Sequence, residues 1–158
     1  MRKFASFLDA VASAESMSVY EGLPRATDDE LAKIKQANKT IELGGWSFYA
    51  APLNTSQSTV EKLRSTFVDY REFKLYFADV FGAGGGAKGC GGFHPDFCVQ
   101  WTIKNKSYLA LVCLGCHELE FISPSVKTKF DFDKGAWQSF AQVAISTFRF
   151  HADDINYK

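Results

Sequence analysis

The sequence carries no excess of charge of either sign: 18 Lys and Arg stand against 18 Asp and Glu in 158 residues. A neutral chain lacks the electrostatic footprint that non-specific nucleic-acid binding or an anionic membrane surface requires, so neither partner is expected. It also lacks long apolar runs. Charges interrupt every hydrophobic stretch well before the roughly 18 residues that a membrane-spanning helix needs, and a soluble protein is expected. There are only four Cys. A chain of this length buries roughly 70% of the surface that its unfolded form exposes, so it needs no framework of disulfides to fold. No internal repeat and no linker composition divides it, and a single domain over 1–158 is expected. What the chain has in abundance is Phe, fifteen of them within 46% hydrophobic residues, which excludes disorder and predicts a packed aromatic core.

The first residues, Met1-Arg2-Lys3-Phe4-Ala5-Ser6-Phe7-Leu8, begin basic and turn apolar, but Asp9 falls where a signal peptide would be uniformly apolar. Phe4, Phe7, Leu8 and Val11 instead follow the spacing of a short amphipathic helix. A cytoplasmic location is the expectation, with an exported one if a leader has been removed. Thr27 and Glu30 form a capping box ahead of Leu31 and Ile34, and Ser58 and Glu61 do the same ahead of Val60, Leu63, Phe67 and Val68. Between these helices, residues 40–50 are β-branched and aromatic around Gly44-Gly45, which predicts two short strands or one bulged strand. Phe73, Leu75 and Phe77 alternate with Glu72, Lys74 and Tyr76, which predicts either a further strand or an extension of the preceding helix, and Trp137, Phe140, Ala141, Ala144 and Phe148 give a helix over 134–149.

Gly82 to Gly92 holds seven Gly in eleven residues. Its glycine spacing fits a dinucleotide fingerprint formally, yet Cys90-Gly91-Gly92-Phe93-His94-Pro95 cannot open the helix that such a motif needs, and no Gly-Lys-Ser/Thr follows. A loop with close backbone approach is expected.

The chemistry is concentrated between Cys90 and Phe121. Residues 98–103 and 108–113 are strand-like and flank Lys104-Asn105-Lys106-Ser107, a hairpin signal. A loop centred between Asn105 and Lys106 pairs Cys98 with Cys113 and, if the ladder continues through Pro95 and Gly115, His94 with His117 on the same face. Two thiols and two imidazoles then suit a tetrahedral, zinc-like ion, with Cys90 and Cys116 as alternate ligands. A change of one residue in the register would send half of these side chains to the other face. The same stretch spells Cys113-Leu114-Gly115-Cys116-His117, the C-x-x-C-H attachment pattern of haem c, in which Cys113 and Cys116 bind the porphyrin and His117 the iron. Read as a dithiol, Cys113 and Cys116 form a thiol–disulfide redox pair, although Glu118 and Glu120 would raise nearby thiol pKa values. Buried thiols or structural disulfides are the remaining reading. A nucleophilic Cys with His94 or His117 as base, oriented by Asp96, is formally available, but nothing singles it out and no enzymatic activity is identified. His151 reads as a tail residue, and Trp46, Trp101 and Trp137 as packing residues.

The segments Cys90-Gly91-Gly92-Phe93-His94-Pro95-Asp96 and Cys113-Leu114-Gly115-Cys116-His117-Glu118 resemble those of an uncharacterised family of small bacterial proteins with CGGFHPD and CFGCHE motifs. Tyr20 to Pro24 and Phe48 to Leu53 share the resemblance, which spans about residues 17–122. It implies no activity, and it implies export or lipid anchoring for some members. The fold expected from the whole pattern is α+β: an antiparallel meander with the hairpin at about 97–121, a strand near 126–132, and helices packed on one face.

Overall fold

The computed structural model describes residues 8–14, 16–69, 73–75 and 92–147. Within them the architecture is α+β. A six-stranded antiparallel sheet runs in the order β1-β5-β6-β7-β8-β4, and a separate two-stranded hairpin pairs β2 with β3. The strands are β1 (Ser16–Glu21), β2 (Thr40–Leu43), β3 (Trp46–Tyr49), β4 (Phe73–Leu75), β5 (Phe97–Ile103), β6 (Lys106–Cys113), β7 (Glu118–Ile122) and β8 (Lys127–Phe132). A short helical stretch over 8–12 precedes three longer helices, α1 (Asp28–Ala37), α2 (Gln57–Val68) and α3 (Lys134–Thr147). The expectations for Phe4, Phe7, Phe77, Phe148, the glycine-rich stretch up to Gly91 and His151 lie outside the described residues.

Alternation along the strands sorts the sheet into two faces. Phe97, Val99, Trp101, Ala110, Val112, Leu119, Phe121, Phe130 and Phe132 point to one side and pack with Leu63 and Phe67 of α2 and Ala136, Phe140 and Ala144 of α3. This is the aromatic core that the Phe content predicts. Phe140 is its centre, with ring centroids 5.1 Å from Phe67, 5.3 Å from Phe132 and 5.9 Å from Phe97. The other side carries a smaller cluster, in which Leu43 and Phe48 of the β2–β3 hairpin cover Cys98, Leu109 and Leu111. Gly44 and Gly45 turn this hairpin with φ of +63° and +88°, the left-handed pair that a tight two-residue connection demands.

Several boundaries differ from those read in the sequence. The cap of α2 is Ser56, whose hydroxyl accepts from the Thr59 N–H at 3.2 Å, so Ser58 lies inside the helix. The β5–β6 loop is two residues long, Lys104-Asn105, with φ of +47° and +62°. That turn joins Ile103 directly to Lys106 and moves the pairing by two residues from the expected register. Residues 108–122 hold parts of two strands. The chain reverses at Leu114–His117, with His117 left-handed at φ +54°, and β7 then runs back antiparallel to β6. β1 had no counterpart in the sequence reading.

Candidate functional site

One end of the sheet collects most of the residues whose chemistry stands out. There β1 ends at Glu21, β5 begins after Asp96, β6 ends at Cys113 and β7 begins at Glu118. Residues 92–96 cross this end and are held from several directions. The Gly22 N–H donates to the Asp96 carbonyl at 2.8 Å, and the Asp96 N–H donates to the Val112 carbonyl at 2.8 Å. The Asp96 carboxylate accepts from the Leu114 N–H at 2.6 Å, tying the segment to the β6–β7 turn. Arg25 donates to the Gly92 carbonyl, and Lys129 of β8 places its ammonium 4.8 Å from the centre of the Phe93 ring. Trp46 of β3 meets both Phe93 and His94 edge-on, at 5.8 and 5.9 Å.

The shifted register decides where the cysteines stand. Cys98 is opposite Leu111, not Cys113. Because the shift is two residues, parity survives, and Cys98 and Cys113 still belong to the same face at diagonal positions. Both are free thiols and both are buried. Cys98 is sealed under Leu43 and Phe48, and burial raises its pKa far above the ordinary thiol range. Burial also raises the Cys113 pKa, and the nearby Asp96 carboxylate adds to this. The N–H groups of His94 and Cys116, which bond to the Cys113 sulfur, and the Arg25 guanidinium act in the opposite direction without reversing it. The Cys116 N–H lies 3.3 Å from Cys113 Sγ. Cys116 itself is buried in the turn, its Sγ 3.2 Å from the Gly92 carbonyl oxygen.

The two histidines separate. The ladder ends at Phe97 and Val112, so it never reaches them. His94 packs with Trp46 on the hairpin side, whereas the exposed His117 stacks on Phe132 at 5.8 Å and leans on Trp137 at 5.7 Å, on the helix side. The Trp137 indole N–H donates to the Leu114 carbonyl at 3.0 Å and fixes that platform. Cys98 and Cys113 are therefore brought near one another, but His94 and His117 are not. Among the described residues no group of three or more His, Cys, Asp or Glu is placed to hold a metal ion. The C-x-x-C-H run occupies a strand end and a turn, and its His lies against the edge of the aromatic core.

At this end the sequence alone gives no reason to single out Arg25 or Lys129, marks Trp46 only as a packing residue and flags Glu118 and Glu120 only as charges near the thiols. Arg25, Trp46 and Lys129 reach it from three separate elements, and no spacing rule links them to the motif. Glu118 and Glu120 are buried on the hairpin-side parity of β7, at 4% and 3% exposure. Glu118 stands opposite Cys113 and Asp131, and Glu120 pairs with Lys127 at 3.0 Å. Acidic residues alternating with Leu119 and Phe121 read as a half-exposed strand, which hides their burial. No helix among the described residues is long and apolar enough to cross a membrane. No family model, curated protein or solved structure matches the chain.

Proposed function

We propose that the Cys/His segments act as a covalent staple in a non-catalytic binding protein: Cys116 pairs with Cys90, and the link ties the glycine-rich stretch to the sheet end that presents Arg25, His94 and Asp96. The observation that carries this reading is the position of Cys116 Sγ, 3.2 Å from the carbonyl of Gly92, which is two residues from Cys90 in the chain. Two residues span at most about 7 Å, which keeps a Cys90–Cys116 bond within the reach of the chain. Cys98 and Cys113 are free thiols, so a disulfide of Cys116 within this chain would join it to Cys90. Closing a loop of about 27 residues from Cys90 to Cys116 contributes about 3.5 kcal/mol through the unfolded chain. A catalytic thiol fits less well, because burial keeps both free thiols protonated at neutral pH.

Intact mass after denaturation, with and without reductant and alkylation, tests this directly. A mass about 2 Da below that of the reduced chain, with two alkylatable thiols before reduction and four after it, is the expected result. Four free thiols before reduction refute it. The same spectra read the other occupants suggested by the motifs: a zinc-like ion adds native mass that is lost on denaturation, and haem c adds about 616 Da that survives it.

A further inference from the structure

We propose that the sheet end binds a small, flat carboxylic acid, with its carboxylate on Arg25 and its aromatic or unsaturated body against Trp46 and Phe93. This rests on the binding-protein reading above and names its ligand class, but it uses no part of the Cys90–Cys116 link. Arg25 is exposed, and its guanidinium donates to the Gly92 carbonyl. A guanidinium has five N–H donors, so most of its capacity remains. Among the described residues no carboxylate lies within ion-pair reach of it. Nor is the side chain carried on a loose loop. Before it, the Leu23 N–H donates to the Ser47 carbonyl and Pro24 fixes its own φ; after it, the Thr27–Glu30 capping box opens α1. Much of the ordering that a ligand would otherwise have to impose on Arg25 is therefore already present.

The surroundings narrow the ligand class. Trp46 and Phe93 are half-buried rings that meet edge-on at 5.8 Å, and the segment carrying Phe93 is fixed through the backbone and carboxylate of Asp96. The Trp46 indole N–H has no hydrogen-bond acceptor among the described residues. A carboxylate offers two coplanar acceptors to a guanidinium fork, and a flat body attached to it gains apolar contact with the rings. Lys129, 4.8 Å from the centre of the Phe93 ring, adds a second positive charge beside that ring. Glu42 on the hairpin does not oppose it, being engaged by Lys35 at 3.6 Å and by the Ser47 hydroxyl. Inorganic phosphate fits less well. The Asp96 carboxylate acts on the same Cys113 thiol as Arg25, so it lies close enough to repel a second negative charge, and phosphate has no apolar body to place on the rings.

The test titrates benzoate, benzamide and inorganic phosphate into the full chain and follows the indole N–H signals by NMR, with Trp46→Phe assigning the Trp46 signal. The expected result is a saturable shift of that signal with benzoate, and binding of benzamide and phosphate weaker by roughly tenfold or more. Arg25→Gln should weaken benzoate by a similar factor while keeping the parent's melting temperature, and Arg25→Lys, which keeps the charge but loses the fork, should fall between. Lys106→Gln, which removes an exposed charge at the opposite end of the sheet, should leave binding unchanged. No saturable shift with benzoate, or equal binding by the parent and Arg25→Gln, refutes the site. Phosphate or benzamide binding as tightly as benzoate refutes the carboxylic-acid class. Thiol counts on the same samples keep the two proposals apart: benzoate binding with four free thiols overturns the staple alone, and a Cys90–Cys116 disulfide without benzoate binding overturns this site alone.

Discussion

Gly22→Ala is the substitution that most directly tests how the segment over the sheet end is held. Gly22 follows β1, bridges Phe48 of β3 and donates to Asp96. A Cβ at this position would stand 2.2 Å from the Pro95 carbonyl oxygen and 3.0 Å from that of Asp96. Both neighbours are backbone atoms, and Asp96 is anchored through its own N–H and its carboxylate, so no side chain can swing aside. Relief requires lifting residues 95–96 by about an ångström or more. Overpacking of this kind costs about 1–3 kcal/mol, and losing the Gly22–Asp96 hydrogen bond adds about 1 kcal/mol. At about 2–4 °C per kcal/mol for a chain of this size, the melting temperature should fall by about 5–15 °C. Gly45→Ala is the control. Nothing lies within 4 Å of the place its methyl group would take, yet its φ is +88°, so it should cost only the backbone strain of about 1–2 kcal/mol. Thermal and urea unfolding of both variants measure the difference. A Gly22→Ala protein that melts within about 2 °C of the parent would refute the close approach of β1 and residues 95–96.

Phe140→Ala should cost about 3–5 kcal/mol in urea unfolding, because its ring is fully buried among Phe67, Phe97 and Phe132 and the hole cannot easily close. Cys98 and Cys113 should resist maleimide in the native protein and react only after denaturant is added, as mass spectrometry would record. Because the Cys98 pKa is raised on folding, its contribution to stability is complete below its ordinary value of 9.0 and declines as pH rises above it. Cys98→Ala should flatten that alkaline decline in pH-dependent unfolding. Glu30 shows the opposite sign: hydrogen bonds from the Thr27 backbone and hydroxyl lower its pKa. Its contribution is present above its ordinary value of 4.5 and is lost as pH falls through the folded value, so Glu30→Gln should weaken the acid dependence of stability.

Local rules in the sequence were strong where one element explains itself. The Thr27–Glu30 capping box and the helical stripe of α3 follow from spacing alone, and residues 40–50 are legible as two short strands or one bulged strand, of which the structure has the paired strands. The register of β5 and β6 did not, since Asn105 can end a two-residue turn as readily as it can begin a loop, and only tertiary pairing decides. β1 escaped because Ser16, Ser18 and Tyr20 dilute the alternation of Met17 and Val19, although pairing with β5 makes it a full strand. The candidate site was legible as two motifs but not as a place. Its cysteines lie at a strand end and in a turn, and the side chains that surround them come from β3, β8 and the loop after β1, tens of residues away.

The order β1-β5-β6-β7-β8-β4 has a consequence for how the chain is made. β5 to β8 form one uninterrupted meander whose neighbours are adjacent in sequence, so they can pair as soon as they exist. β1 and β4 belong to the two outer edges, but their partners, β5 and β8, are synthesised later. On the ribosome the first 75 residues therefore emerge before the strands that will receive them. When the meander forms, these earlier strands close both of its flanks, and the exposed hydrogen-bonding rims that invite association with other chains are covered last.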